Sequence, residues 1–127
     1  MEKILVIEDE DSVRETLLEL LEAEEFEAVG AENGCIGLQM AQNQLPDLIL
    51  CDIMMPELDG YGVLRAVRQN PATAAIPFIF LSAKADKTDL SQGIGLGAND
   101  YLTKPCPISV LLSAIAAQLE KRAAVKG

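Results

Sequence analysis

Leu48-Ile49-Leu50-Cys51-Asp52 is an unbroken run of four apolar residues followed by a carboxylate. Entered through Pro46-Asp47, a run this short predicts a strand buried on both faces. Strands of that kind belong to parallel sheets covered by helices. Working outward, Lys3 to Ile7 and Phe78 to Leu81 have the same character. Between the runs the period changes to that of a helix. Val13, Leu17, Leu20 and Leu21 predict a helix over Ser12 to Glu24, and residues 34–44, led in by Asn33, predict a second. Tyr61 to Gln69 is a third, ended by Asn70-Pro71. Lys87 to Leu96 is a fourth, with Gly97 as its cap. Ile108, Leu111, Leu112, Ile115 and Leu119 mark a fifth, with Pro107 in its first turn. Phe26 to Ala31 and Asp100 to Thr103 are shorter or more polar strands.

Five strand–helix units in series predict an α/β fold with right-handed crossovers and helices on both faces of a parallel sheet. The three wholly apolar strands suit the centre and the two polar ones the edges. The flavodoxin-like order 2-1-3-4-5 places all five that way, in a doubly wound, three-layer sandwich with five helices. A Rossmann order would need a sixth strand.

Composition narrows the chemistry. The 127 residues make one domain of ordinary size, and half of them are hydrophobic. Apolar runs stop far short of the ~20 residues of a membrane span. Met1-Glu2-Lys3-Ile4 lacks the basic-then-apolar pattern of a secretory signal. Histidine is absent, which excludes His catalysis, His-ligated metals and a histidine pH switch. Aromatics at 4% are too few for a base-stacking platform. The net charge of −10 lies entirely in residues 1–32, where twelve acids face Lys3 and Arg14. Direct nucleic-acid binding is therefore not expected, whereas a cation or a basic partner face is compatible. Most of that charge also reads plainly as a solvated helix face. Cys35, Cys51 and Cys106 show no paired spacing, so they are expected to be small buried hydrophobes in a reducing cytoplasm.

In sheets of this type the site lies beyond the carboxyl ends of the strands. Strand 1 runs into Glu8-Asp9-Glu10-Asp11, strand 3 into Asp52, strand 4 into Ser82 and strand 5 into Lys104-Pro105. Glu10 and Asp11 read as favourable charge at a helix N-terminus. Carboxylates about 4 Å apart repel by roughly 4 kcal/mol per pair at an effective dielectric of 20. A hard cation relieves that repulsion, and with oxygen ligands alone Mg²⁺ fits best. A carboxylate such as Asp52 can act as a nucleophile toward phosphorus, with Lys104 and Ser82 meeting the phosphoryl oxygens. Val13, Leu17 and Leu21 read as core rather than a partner groove. Gly60 reads as a turn glycine with positive φ. Gly93, Gly95 and Ala98 spell G-x-G-x-x-A, but after a helix and before a strand, the reverse of a dinucleotide site.

These segments together resemble the receiver domain of two-component response regulators, of the chemotaxis-regulator kind. The likeness lies in Ile4 to Asp9, Leu50 to Gly60 (with Asp52-Ile53-Met54-Met55-Pro56), Phe80-Leu81-Ser82-Ala83 and Gly97 to Pro105. The resemblance implies a receiver over residues 1–122, with 123–127 a tail or the start of a linker. It implies Asp52 as phosphoacceptor, and Mg²⁺ held by Asp9, Asp52 and the Met54 carbonyl, with Glu8 acting through a water. Ser82 and Lys104 would hold phosphate oxygens, Ser82 and Tyr101 would form the switch, and Met54 and Lys84 would tune phosphate lifetime. The Lys104-Pro105 bond would be cis. The phosphodonor would be a sensor histidine kinase or a phosphotransfer protein. Output would pass through the fourth helix, fifth strand and fifth helix, to an effector domain or a homodimer partner. The chain would be a cytoplasmic phosphoacceptor regulator rather than an enzyme, either free-standing or part of a longer regulator. Three features depart from the commoner pattern: Glu8 for Asp, Ser82 for Thr, and Cys106 where Phe is frequent.

Other functions are weighed on the same residues. A phosphatase with an Asp-x-Asp motif needs a second acid where this chain has Met54. A flavin-phosphate loop would be repelled by Glu8 to Asp11. A pseudo-receiver used only for binding would lack one of the site residues, and all are present. Tyr101 also suits an edge strand as an ordinary aromatic.

Overall fold

The structure is a computed structural model and describes residues 1–83 and 87–126. Its elements alternate in chain order: β1 (Lys3–Ile7), α1 (Asp11–Ala23), β2 (Glu27–Ala31), α2 (Gly34–Gln44), β3 (Leu48–Cys51), α3 (Gly60–Gln69), β4 (Phe78–Ser82), α4 (Lys87–Gly95), β5 (Asp100–Thr103) and α5 (Ile108–Lys126). The strands form one parallel sheet in the order β2-β1-β3-β4-β5, as the burial pattern predicts. All residues of β3 and β4 are buried, whereas β2 and β5 are mixed. Helix α5 continues past residue 122, so 123–126 are helical.

Strand alternation splits the apolar residues between two cores. Leu5, Ile7, Ile49, Cys51, Phe78, Phe80 and Tyr101 face one side, where they meet Ala41, Val63, Leu64 and Val67. Ile4, Val6, Leu48, Leu50 and Ile79 face the other, where they meet Leu21, Leu111 and Ile115. Helix starts follow local chemistry. The side chains of Asn33 and Asp59 cap α2 and α3, accepting from Ile36 N and Gly62 N at 2.8 and 2.9 Å. Pro107 stands just ahead of α5, its carbonyl accepting from Val110 N and Leu111 N. Gly97 ends α4 with φ of 106°.

Three expectations need correction. Gly60 does not have positive φ; in that loop Glu57 does, at 68°. Glycine is needed at 60 for space instead, because a Cβ there would lie 2.3 Å from the Asp52 carbonyl oxygen. Cys51 is buried, but Cys35, in the first turn of α2, is exposed, and Cys106, in the loop before α5, is half-buried against the core. Val13 and Leu17 are only half-buried. With Leu20, Leu81, Ile108 and Leu111 they line an apolar groove of about 510 Å³ between α1 and α5.

Candidate functional site

Four strand ends bring the chemistry together. The Asp52 amide donates to the Ile7 carbonyl at 3.0 Å, so β3 and β1 hand their acids to the same edge. Lys104 N donates to the Ser82 carbonyl at 2.8 Å, which fixes the end of β5 beside the end of β4. The Lys104-Pro105 bond is cis, as the resemblance implies. Asp9, Glu10, Val13, Asp52, Met54, Ser82, Ala83 and Lys104 line one hollow of about 290 Å³ at this edge. The larger α1–α5 groove adjoins it but is apolar apart from Lys104, Ser12 and Thr16. The smaller hollow therefore gathers the polar and charged side chains of the predicted site.

Within it, Asp52 Oδ1 accepts from its neighbour Ile53 N at 2.8 Å, and Oδ2 lies 3.7 Å from Lys104 Nζ. Lys104 sits closer to Glu8, whose Oε1 takes a hydrogen bond and ion pair from Nζ. Glu8 Oε2 accepts from Glu10 N at 3.1 Å. Glu8 is only 2% exposed. Burial pushes its carboxyl above the ordinary value and the Asp52 charge adds to this. The bonds from Lys104 and Glu10 offset only part. Burial by itself would lower Lys104, but the bond to Glu8 and the charges of Asp52 and Glu8 hold its ammonium above the ordinary value. Burial therefore acts on both partners, raising Glu8 and opposing the rise of Lys104. Glu10 gives its backbone but no side-chain cap to α1, and Asp11 pairs with Arg14 at 2.6 Å.

Carboxylate oxygens of Glu8, Asp9 and Asp52 all lie within 4.8 Å of one another. Three hard oxygen donors at that spacing, with one lysine ammonium among them, suit a small divalent cation such as Mg²⁺. Ser82 is fully buried at the end of β4. Tyr101 is also buried, its ring 5.8 Å from that of Phe80. It stands inward, in an aromatic cluster with Phe78 and Tyr61. The Met54 side chain is exposed at the rim. Lys84 lies outside the described residues. The Cys51 thiol is pushed far up by burial and is inert beside Asp52. Gly60 belongs to the site by its close approach to Asp52, and only the tertiary contact shows it.

A model of the response regulator receiver domain matches residues 4–116. The chain belongs to that family. A probable transcriptional regulatory protein of Picosynechococcus is 41% identical, over 94% of this chain and 50% of its own length. Protein PilH of Pseudomonas aeruginosa is 38% identical, over 94% of this chain and 98% of its own. The crystal structure of a response regulator receiver domain protein from Clostridium thermocellum superposes with a TM-score of 0.92. It is 28% identical, over 98% of this chain and 99% of that one. The chain spans about half the length of several curated relatives that it matches, the Picosynechococcus protein among them. This receiver domain is thus a signalling module of two-component systems. Its family generally binds Mg²⁺, and its acidic cluster can hold such an ion. No helix among the described residues is long and apolar enough to cross a membrane.

Proposed function

We propose that this receiver domain accepts a phosphoryl group on Asp52 from a sensor histidine kinase or a phosphotransfer protein, and signals by the change in shape that follows. The observation that carries this reading is the setting of Asp52. One of its oxygens is held by the Ile53 amide, and the other faces a hollow shared with Asp9, Met54, Ser82 and Lys104. The Asp52 oxygen bonds to phosphorus as the bond from phosphorus to the donor imidazole nitrogen breaks. The electron pair leaves with that nitrogen. Lys104 and Ser82 meet the phosphoryl oxygens, so Lys104 moves from Glu8 toward the new charge. Asp9, Asp52 and the Met54 carbonyl would hold Mg²⁺, with Glu8 reaching it through a water. The ion would neutralise charge on the phosphoryl group.

Met54 and Lys84 set the phosphate lifetime. Met54 carries no group to orient an attacking water, so self-dephosphorylation is slow and the chain acts on no separate substrate. Phosphorylation draws Ser82 toward the site and favours Tyr101 in the inward position, a bias between existing states. The face of α4, β5 and α5 then meets an effector domain or a second copy. Residues 1–122 form the receiver and 123–127 its tail or the start of a linker, in the cytoplasm, free-standing or within a longer regulator. With Mg²⁺ and acetyl phosphate, intact mass should show one added phosphate, and Asp52→Ala should show none. Labelling unchanged in Asp52→Ala would overturn the assignment.

A further inference from the structure

Arg68, in the last turn of α3, lies at the other end of the sheet from Asp52 and touches none of the site residues. Its guanidinium is nonetheless fully engaged. Nε and Nη2 both donate to the Gly97 carbonyl, at 3.1 and 2.9 Å. Nη1 donates to the carbonyls of Ala74 and Ile76, at 3.0 and 2.7 Å, and Nη2 also reaches Asn99 Oδ1 at 2.9 Å. Asn99 in turn is bound to the start of β4. Its Oδ1 accepts from Phe78 N at 2.8 Å, and its amide donates to the Phe78 carbonyl at 2.8 Å. One side chain thus ties α3, the α3–β4 connection, the end of α4 and the entry to β5.

The Gly97 carbonyl belongs to the turn that ends α4. Gly97 N donates to the Ile94 carbonyl and Ala98 N to that of Gly93, the paired bonds of a Schellman stop. The left-handed φ of Gly97 is what this stop requires. One end of α4 is therefore closed and clamped by a planar fork of donors, whose geometry lysine cannot reproduce. Between that end and the site, α4 rests at Gly93 on the rings of Phe80 and Tyr101. A Cβ at Gly93 would stand 3.0 Å from the Phe80 ring and 3.2 Å from that of Tyr101. Phe80 is two residues before Ser82 on β4, and Tyr101 pairs with it across the sheet. A nine-residue helix is about 13 Å long at 1.5 Å per residue, so a small push at Gly93 is enlarged at the end far from the clamp.

We propose that Arg68 is a positioning residue that fixes the carboxyl end of α4 as a pivot, so that phosphorylation of Asp52 tilts this helix instead of sliding it. The proposal rests on the Asp52 reading above and adds how that event is transmitted. The test is amide exchange on the full chain, with and without beryllofluoride and Mg²⁺, with fluorine spectroscopy to report uptake of the mimic. In the unsubstituted protein the mimic should change exchange at residues 90–92 and leave 97–99 unchanged. Arg68→Ala should raise exchange at 97–99 by about ten-fold without the mimic, and the mimic should then change those amides too. Arg68→Lys should fall between. Labelling of Asp52 by acetyl phosphate should stay within about two-fold, as expected of a distant site. If Arg68→Ala fails to fold, Asn99→Ala removes one leg of the clamp and should raise exchange at 97–99 in the same direction. Equal mimic-induced changes along the whole of α4, or exchange at 97–99 indifferent to both substitutions, would overturn the pivot. A protein that takes up no mimic would overturn the Asp52 reading, and the tilt with it.

Discussion

Glu8 carries a carboxylate to the most enclosed point of the site, and its surroundings set a sign that can be measured. Its folded pKa is raised, chiefly by burial, above an ordinary 4.5. Between those two values the folded chain keeps a proton that the unfolded chain has lost. The Glu8 contribution to stability is therefore fully present below 4.5 and falls as pH rises through the window. Glu8→Gln cannot titrate. In urea unfolding with a chelator present, the stability of Glu8→Gln relative to the parent should increase with pH from about 4.5 and then level off. A difference that stays flat across pH 4 to 7, on the order of measurement error, would show that Glu8 does not hold its proton in the fold. The raised pKa of Glu8 was not legible in the sequence. It depends on how deeply the fold buries the carboxyl and on the Asp52 charge arriving from another strand, with Lys104 acting against both.

Elements meet the site through backbone as much as through side chains, and two glycines show this by contrast. Gly60 opens α3, where an added Cβ would lie 2.3 Å from the Asp52 carbonyl oxygen and 2.8 Å from Ile53 Cα. Both neighbours are backbone and cannot rotate away. Gly60→Ala should cost about 1–3 kcal/mol and should slow phosphorylation, because relieving the clash displaces the segment that holds the acceptor. Gly95 is the last residue of α4, with nothing within 4 Å of its Cβ position. Gly95→Ala should be neutral or stabilising by up to about 1 kcal/mol, through lower entropy in the unfolded chain. Thermal unfolding of the two variants decides this, and equal shifts of the same sign would contradict it. A glycine at the start of a helix after Asp59 suggests a turn. Its spacing from Asp52 in space cannot be read from that signal.

Across the whole molecule, the net charge of −10 lies in residues 1–32, so the β1–α1 loop, α1 and the segment through β2 hold acids that repel one another and the carboxylates of the site. Two separable responses follow. Raising NaCl toward about 1 M, where the Debye length is about 3 Å, should stabilise the protein by screening this repulsion. Millimolar Mg²⁺ should add stabilisation beyond that of NaCl at matched ionic strength, through binding at Asp9 and Asp52. Asp9→Asn should keep the NaCl response, lose the extra Mg²⁺ response, and be at least as stable as the parent without metal. Thermal melts in both salts test this. A full Mg²⁺ response in Asp9→Asn would remove Asp9 from the ligand set.

The order of elements, the central place of β1, β3 and β4, and the gathering of Glu8, Asp9, Asp52, Ser82 and Lys104 at one edge followed from the sequence by itself. Each rests on a local signal. A wholly apolar strand must be buried on both faces, and a parallel sheet sends every strand's carboxyl end to the same side. What only the tertiary structure decided are contacts between residues far apart in the chain. Lys104 pairs with Glu8 across 96 positions and stands farther from Asp52. Arg68 reaches across 29 to the turn after α4. The groove beside α1 stays open where Val13 and Leu17 read as closed core. Periodicity says which way a side chain points. It does not say how near two elements approach, because that distance is set by the volumes packed between them.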